Sequence, residues 1–117
     1  MDLLKKQQIF TQDVAKLLKF AEESGFFITF GEAQRPIEMQ ELYFKEGRTR
    51  TMKSKHIERL AIDLFVFRRD ENTGAMKWLQ SREDVKQLGE FWESIRPENN
   101  WGGFWNFIDI FHFERGD

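Results

Sequence analysis

Apolar and polar positions recur along the chain with periods that change from segment to segment. In TQDVAKLLKFAEESG, residues 11–25, Val14, Leu17, Leu18 and Ala21 fall on one face at helical spacing, and Gly25 can supply the left-handed residue that stops a helix. The next piece, FFITFGEAQR, is rich in β-branched and aromatic residues with partial alternation. It predicts a strand through Phe30 that ends in a loop reaching Arg35. Pro36 opens a second helix, PIEMQELYFKEG, because a first turn has no use for the N–H that proline lacks, and Gly47 can close it. A basic loop, KEGRTRTMKSK from Lys45 to Lys55, follows.

The run LAIDLFVFRR is apolar over too short a length for a buried helix and predicts a buried strand, with Asp63 in or beside it. DENTG has the Asn and Gly chemistry of a turn or hairpin leading to AMKWL. SREDVKQLGEFWESI opens with Ser81 and Asp84 in a capping-box arrangement and carries Val85, Leu88, Phe91, Trp92 and Ile95 on one side. Pro97 ends this helix, ENNWGGFW reads as a turn-rich aromatic loop, and IDIFHFE predicts a last strand. Helix and strand therefore alternate three times, which fits a compact α+β domain.

Composition sharpens this picture in three ways. The 117 residues suit one domain over 1–117, with no repeat, linker or low-complexity segment. With 13 Phe and 4 Trp, the core is expected to be aromatic. A net charge of −2 gives no electrostatic footprint for nucleic acid, and the basic run reads as a solvated loop. No stretch approaches the roughly 18 apolar residues of a membrane span, and MDLLKKQQIF has no apolar core of a signal peptide. Neither membrane insertion nor a signal peptide is expected, and synthesis is expected in the cytoplasm.

The absence of cysteine leaves only histidines and carboxylates to hold a metal. There are two histidines, His56 and His112, each with a carboxylate at short range: Asp63 after the first and Asp109 before the second. Two imidazoles and one carboxylate form a three-ligand set that leaves a tetrahedral Zn²⁺ one open position for water. A further acidic group can then take the proton of that water, whose pKa zinc lowers to about 7. The bland alternative is two unrelated histidines acting as surface or core hydrogen-bonders, and spacing alone leaves it open.

SKHIERLAID, residues 54–63, resembles the Ser-x-His-x6-Asp signature of the zinc D-alanyl-D-alanine carboxypeptidase and L-alanyl-D-glutamate peptidase family, which includes vancomycin-resistance dipeptidases and many phage endolysins. NNWGGFWNFIDIFHFE is similar to the Trp-Gly-Gly-x-Trp … Asp/Glu-x-x-His-Phe signature of the family's phage endopeptidase branch. AQRPIEMQELYFKEGRTRTMKSKH resembles the branch's Arg, then Gln, Leu-Tyr, Gly and Thr leading into Ser-x-His. The resemblance spans about Gly25 to Glu114, with several motifs in order.

This resemblance implies an antiparallel sheet with helices packed on it, in the hedgehog-like fold of D-Ala-D-Ala peptidases. It implies His56, Asp63 and His112 as ligands of one Zn²⁺ per chain, Asp109 as catalytic base, Arg35 as the group that stabilises the oxyanion, and Ser54 as a hydrogen-bonder beside ligand or substrate. The implied activity is cleavage of the peptidoglycan stem peptide, foremost at the L-Ala–D-Glu bond, by a phage endolysin in host lysis. A D-Ala-D-Ala carboxypeptidase and a non-catalytic, metal-stabilised binding module are the alternatives. The expected form is a monomer with a single zinc peptidase domain and no separate wall-binding domain, made in the host cytoplasm and acting on the wall after release. Trp101, Trp105, Phe111 and Phe113 either line the substrate groove or pack in the core. Three departures stand out: Arg59 where the family usually has Gly, Asp109 where many relatives have Glu, and Gln34 and Pro36 as the neighbours of Arg35.

Overall fold

In the computed structural model, which describes residues 1–33, 37–47 and 55–117, helix α1 (Leu3–Glu23) leads into strand β1 (Phe27–Phe30) and helix α2 (Ile37–Lys45). Then come β2 (Ala61–Arg69), β3 (Met76–Leu79), α3 (Arg82–Ile95), β4 (Asn99–Trp101), a 3-10 turn (Gly102–Phe104) and β5 (His112–Arg115). The expected α+β class holds, with every strand pair antiparallel.

Helix α1 begins at Leu3 rather than near Thr11, because Asp2 caps it by accepting the Lys5 N–H at 2.8 Å. Its end is as expected. Gly25 sits at φ 84°, its N–H bonds to the Glu22 carbonyl and the Phe26 N–H reaches back to the Ala21 carbonyl, which is the Schellman pattern of helix termination. Helix α3 is capped by Ser81, whose hydroxyl accepts the Asp84 N–H at 3.2 Å.

The sheet runs β1-β2-β5-β4, with β3 also paired to β2. Strand β3, within AMKWL, pairs back on β2 and makes DENTG the turn of a hairpin, one of the two forms its chemistry allowed. One strand, β4, lies within the predicted loop ENNWGGFW, and at three residues it is too short to show a period. The last strand starts at His112, not at Ile108, since the His112 N–H turns back to the Asp109 carbonyl at 3.2 Å and leaves Ile108 exposed.

Alternation along β2 sends Ile62, Leu64 and Val66 into the core beneath Leu17 and Ala21 of α1 and Val85, Leu88 and Trp92 of α3. Trp92 and Trp101 are fully buried, and each indole N–H finds a carbonyl: Trp92 donates to Glu114 at 3.0 Å and Trp101 to Ile110 at 2.9 Å. Glycine in a helix interior costs about 0.5–1 kcal/mol relative to alanine, yet α3 carries Gly89. The reason is steric, because a Cβ there would overlap the Trp101 ring. Buried Asp13 ties α1 to the end of α3, accepting from Arg96 Nε at 2.7 Å and from Asn99 Nδ2 at 3.3 Å. The opposite face of β2 carries Asp63, Phe65 and Phe67, with the Trp78 ring set edge-on to Phe65 and stacked on Phe111. Among the described residues, no helix is long and apolar enough to cross a membrane.

Candidate metal centre

The site is built on the pairing of β2 with β5, which sets Asp63 opposite His112. Asp63 spends its backbone groups on the other side, donating its N–H to the Glu32 carbonyl and accepting from the Gly31 N–H, both at 2.8 Å. Towards β5 it therefore forms a non-hydrogen-bonded pair, the arrangement in which facing side chains approach most closely. Asp63 Oδ1 lies 3.6 Å from His112 Nδ1.

His56 arrives from the turn that feeds β2, with its Nε2 at 3.2 Å from Asp63 Oδ1. In that turn the Leu60 N–H bonds to the Lys55 carbonyl and the Arg59 N–H to the His56 carbonyl, the same Schellman geometry that ends α1. Its left-handed position is Arg59, at φ 59°. The departure from glycine noted in the sequence thus falls at the one place where glycine is conformationally favoured, and the turn forms all the same. Replacing Arg59 with glycine is expected to raise stability by about 0.5–1 kcal/mol, read as a higher midpoint of thermal unfolding. An unchanged or lower midpoint would mean the arginine side chain contributes contacts that offset its strain.

His56, Asp63 and His112 each offer one ligand atom, all within 4.8 Å of one another, and the two histidines are buried. Asp63 Oδ1 is buried and turned into the cluster, facing the imidazole nitrogens of His56 and His112 at 3.2 and 3.6 Å, so an electron-rich oxygen stands between two further ligand atoms. Two imidazole nitrogens and a carboxylate oxygen are a donor set that suits zinc. Electrostatics point the same way. Burial pushes the Asp63 carboxyl up, but the His112 and His56 imidazoles outweigh it and hold the pKa at about 2. Burial likewise pushes His112 down, yet Asp63 and Glu114 outweigh it and carry it up to about 9. Surroundings that favour a proton on His112 favour any cation at the same place, and a metal would displace that proton.

Asp109 follows the 3-10 turn, its N–H donating to the Gly102 carbonyl at 2.9 Å while its own carbonyl accepts from His112. A Cβ on Gly102 would overlap the Asp109 carbonyl oxygen, so the glycine of the Trp-Gly-Gly motif permits this approach. Burial raises the Asp109 carboxyl above its ordinary range; the His112 charge opposes the rise and the Asp63 charge adds to it. The residue stands outside the three-atom cluster but close enough to feel its charges.

The tryptophans divide. Trp101 is a core residue with no exposed surface, the packing alternative of the two rather than the groove; it is held inward by its bond to Ile110 and by the space at Gly89. Phe113 is equally buried. Trp105 is partly exposed and sets its ring 5.0 Å from that of His112, at the rim of the cluster. Arg35 and Ser54 lie outside the described residues. One neighbour escaped the sequence reading: Glu114, whose Oε1 is 2.8 Å from His112 Nε2. The period of two that puts residues 112 and 114 on one side of a strand is the signal that locates it.

The structure is similar to the crystal structure of the Serratia marcescens L-Ala D-Glu endopeptidase ChiX, with a TM-score of 0.66 over 89% of this chain and 78% of that one, at 20% sequence identity. No curated protein matches the chain. A family model described as D-alanyl-D-alanine carboxypeptidase matches residues 47–115, a span that holds His56, Asp63, Asp109 and His112. With more than half of its length inside that match, the chain belongs to the D-alanyl-D-alanine carboxypeptidase family of peptidases.

Proposed function

We propose that this peptidase is a zinc enzyme of peptidoglycan, cleaving the stem peptide at the L-Ala–D-Glu bond as a phage endolysin does in host lysis. The observation that carries the reading is the convergence of His56, Asp63 and His112, with the raised carboxyl of Asp109 beside them. When bound, zinc supplies a Lewis acid and a water acidic enough to ionise near neutral pH. His56, Asp63 and His112 would hold the ion. Asp109 takes a proton at its carboxylate and returns it to the leaving amine, a role for which a pKa raised towards the working pH is suited. Arg35 is assigned to the carbonyl oxygen as negative charge develops there, where a fixed cation in a dry site has most effect. Ser54 and Trp105 are assigned to the substrate side of the centre.

The fold neighbour's name, an L-Ala D-Glu endopeptidase, favours the endopeptidase reading, whereas the family description favours a carboxypeptidase. Purified peptidoglycan digested with and without a chelator separates them by mass spectrometry of the products. New amino termini at D-Glu, lost on chelation, are the expected result. Release of single D-Ala residues would replace the endopeptidase with a carboxypeptidase, and no new termini in either arm would leave a non-catalytic module.

A further inference from the structure

We propose that Glu114 is a positioning residue that fixes which nitrogen of His112 faces the metal, an inference that rests on the metal-centre reading above. His112 presents Nδ1 to Asp63 at 3.6 Å and Nε2 to Glu114 Oε1 at 2.8 Å, so its two nitrogens have carboxylates of different function. An ionised carboxylate only accepts hydrogen bonds, so the partner of Glu114 must be an N–H. A neutral imidazole has one such group. With it committed at Nε2, the lone pair of Nδ1 is turned towards Asp63 and His56, where a cation would sit.

The placement of Glu114 is itself constrained. Its backbone pairs with Ala61 on β2 and Asn100 on β4, and its carbonyl accepts the buried Trp92 indole N–H at 3.0 Å. Its side chain is only 14% exposed, so the bond to His112 is made largely away from water. A charge-assisted bond in such surroundings both holds the ring against rotation and makes the ligating nitrogen more basic. Asp63 takes no such part, because its Oδ1 faces His56 Nε2 and His112 Nδ1 from within the cluster.

Zinc affinity and the ¹⁵N and ¹H spectra of the zinc-loaded protein test the assignment without any use of peptidoglycan. Parent protein should show His112 bound through Nδ1, with a slowly exchanging Nε2–H proton shifted downfield by the carboxylate. Glu114→Ala should lose that protection and bind zinc about 10- to 100-fold more weakly, the usual effect of removing a carboxylate behind a metal-bound histidine. Glu114→Gln, which keeps an acceptor oxygen, should recover the protected proton and part of the affinity. Coordination through Nε2 in the parent protein overturns the proposal, and needs no variant that folds. Equal zinc affinity in parent and Glu114→Ala overturns it as well. Parent protein that binds no zinc overturns the metal-centre reading and this inference together.

Discussion

Asp109→Asn is expected to leave the fold and zinc content unchanged while slowing hydrolysis of a stem-peptide substrate by about 10² to 10⁴, the range a general acid/base contributes. Asparagine has nearly the same shape, keeps an oxygen to accept the Phe111 N–H, and leaves the backbone bonds to Gly102 and His112 untouched, so geometry is preserved and only proton transfer is lost. The carboxyl stands outside the three-atom cluster, which predicts that the metal stays. Initial rates with a defined stem peptide, together with elemental analysis of the same samples, decide the matter. Parent-like rates would remove Asp109 from the chemistry, and a fall in zinc would make it a ligand.

Why this residue was legible and others were not has a physical explanation. Long periodic segments announced themselves: β2 through its apolar run, α3 through its face of Val85, Leu88 and Trp92, and the end of α1 through Gly25. Strand β4 did not, and β3 showed only through the turn chemistry of DENTG before it, because short edge segments take their shape from their neighbours rather than from a pattern of their own. The first turns of α1 depend on the cap at Asp2, a local signal without an apolar face behind it. The cluster of His56, Asp63 and His112 could be read because histidine is rare in this chain, with two in 117 residues, and the spacing matched a known signature. Trp101 could not be placed, since an aromatic residue in a conserved-looking motif reads the same whether it meets substrate or fills the core. Only the depth of the Gly89 recess distinguishes the two.

His56→Ala and His112→Ala are each expected to take zinc from close to one per chain to near none, and to abolish chelator-sensitive hydrolysis with it. Three protein ligands are the least that a catalytic zinc site keeps, so removing one leaves two, too few to hold the ion firmly. Both imidazoles are buried at the cluster, which makes water a poor substitute for either. Elemental analysis of metal-replete, folded protein is the measurement, with circular dichroism to show that the sheet survives. Zinc content unchanged in both variants would remove the site from this protein.

Strands β2 and β5 meet over three residue pairs, Ala61–Glu114, Ile62–Phe113 and Asp63–His112. So short a ladder has little intrinsic power to choose its own alignment, and a slip of one residue would turn His112 into the interior and Phe113 outwards. A slipped molecule loses the facing carboxylate and imidazole, and with them any means of capturing the ion. Because a ligand stabilises only the state that binds it, the zinc proposed for catalysis would also proofread assembly, drawing the population towards the one alignment in which the strands are correctly matched.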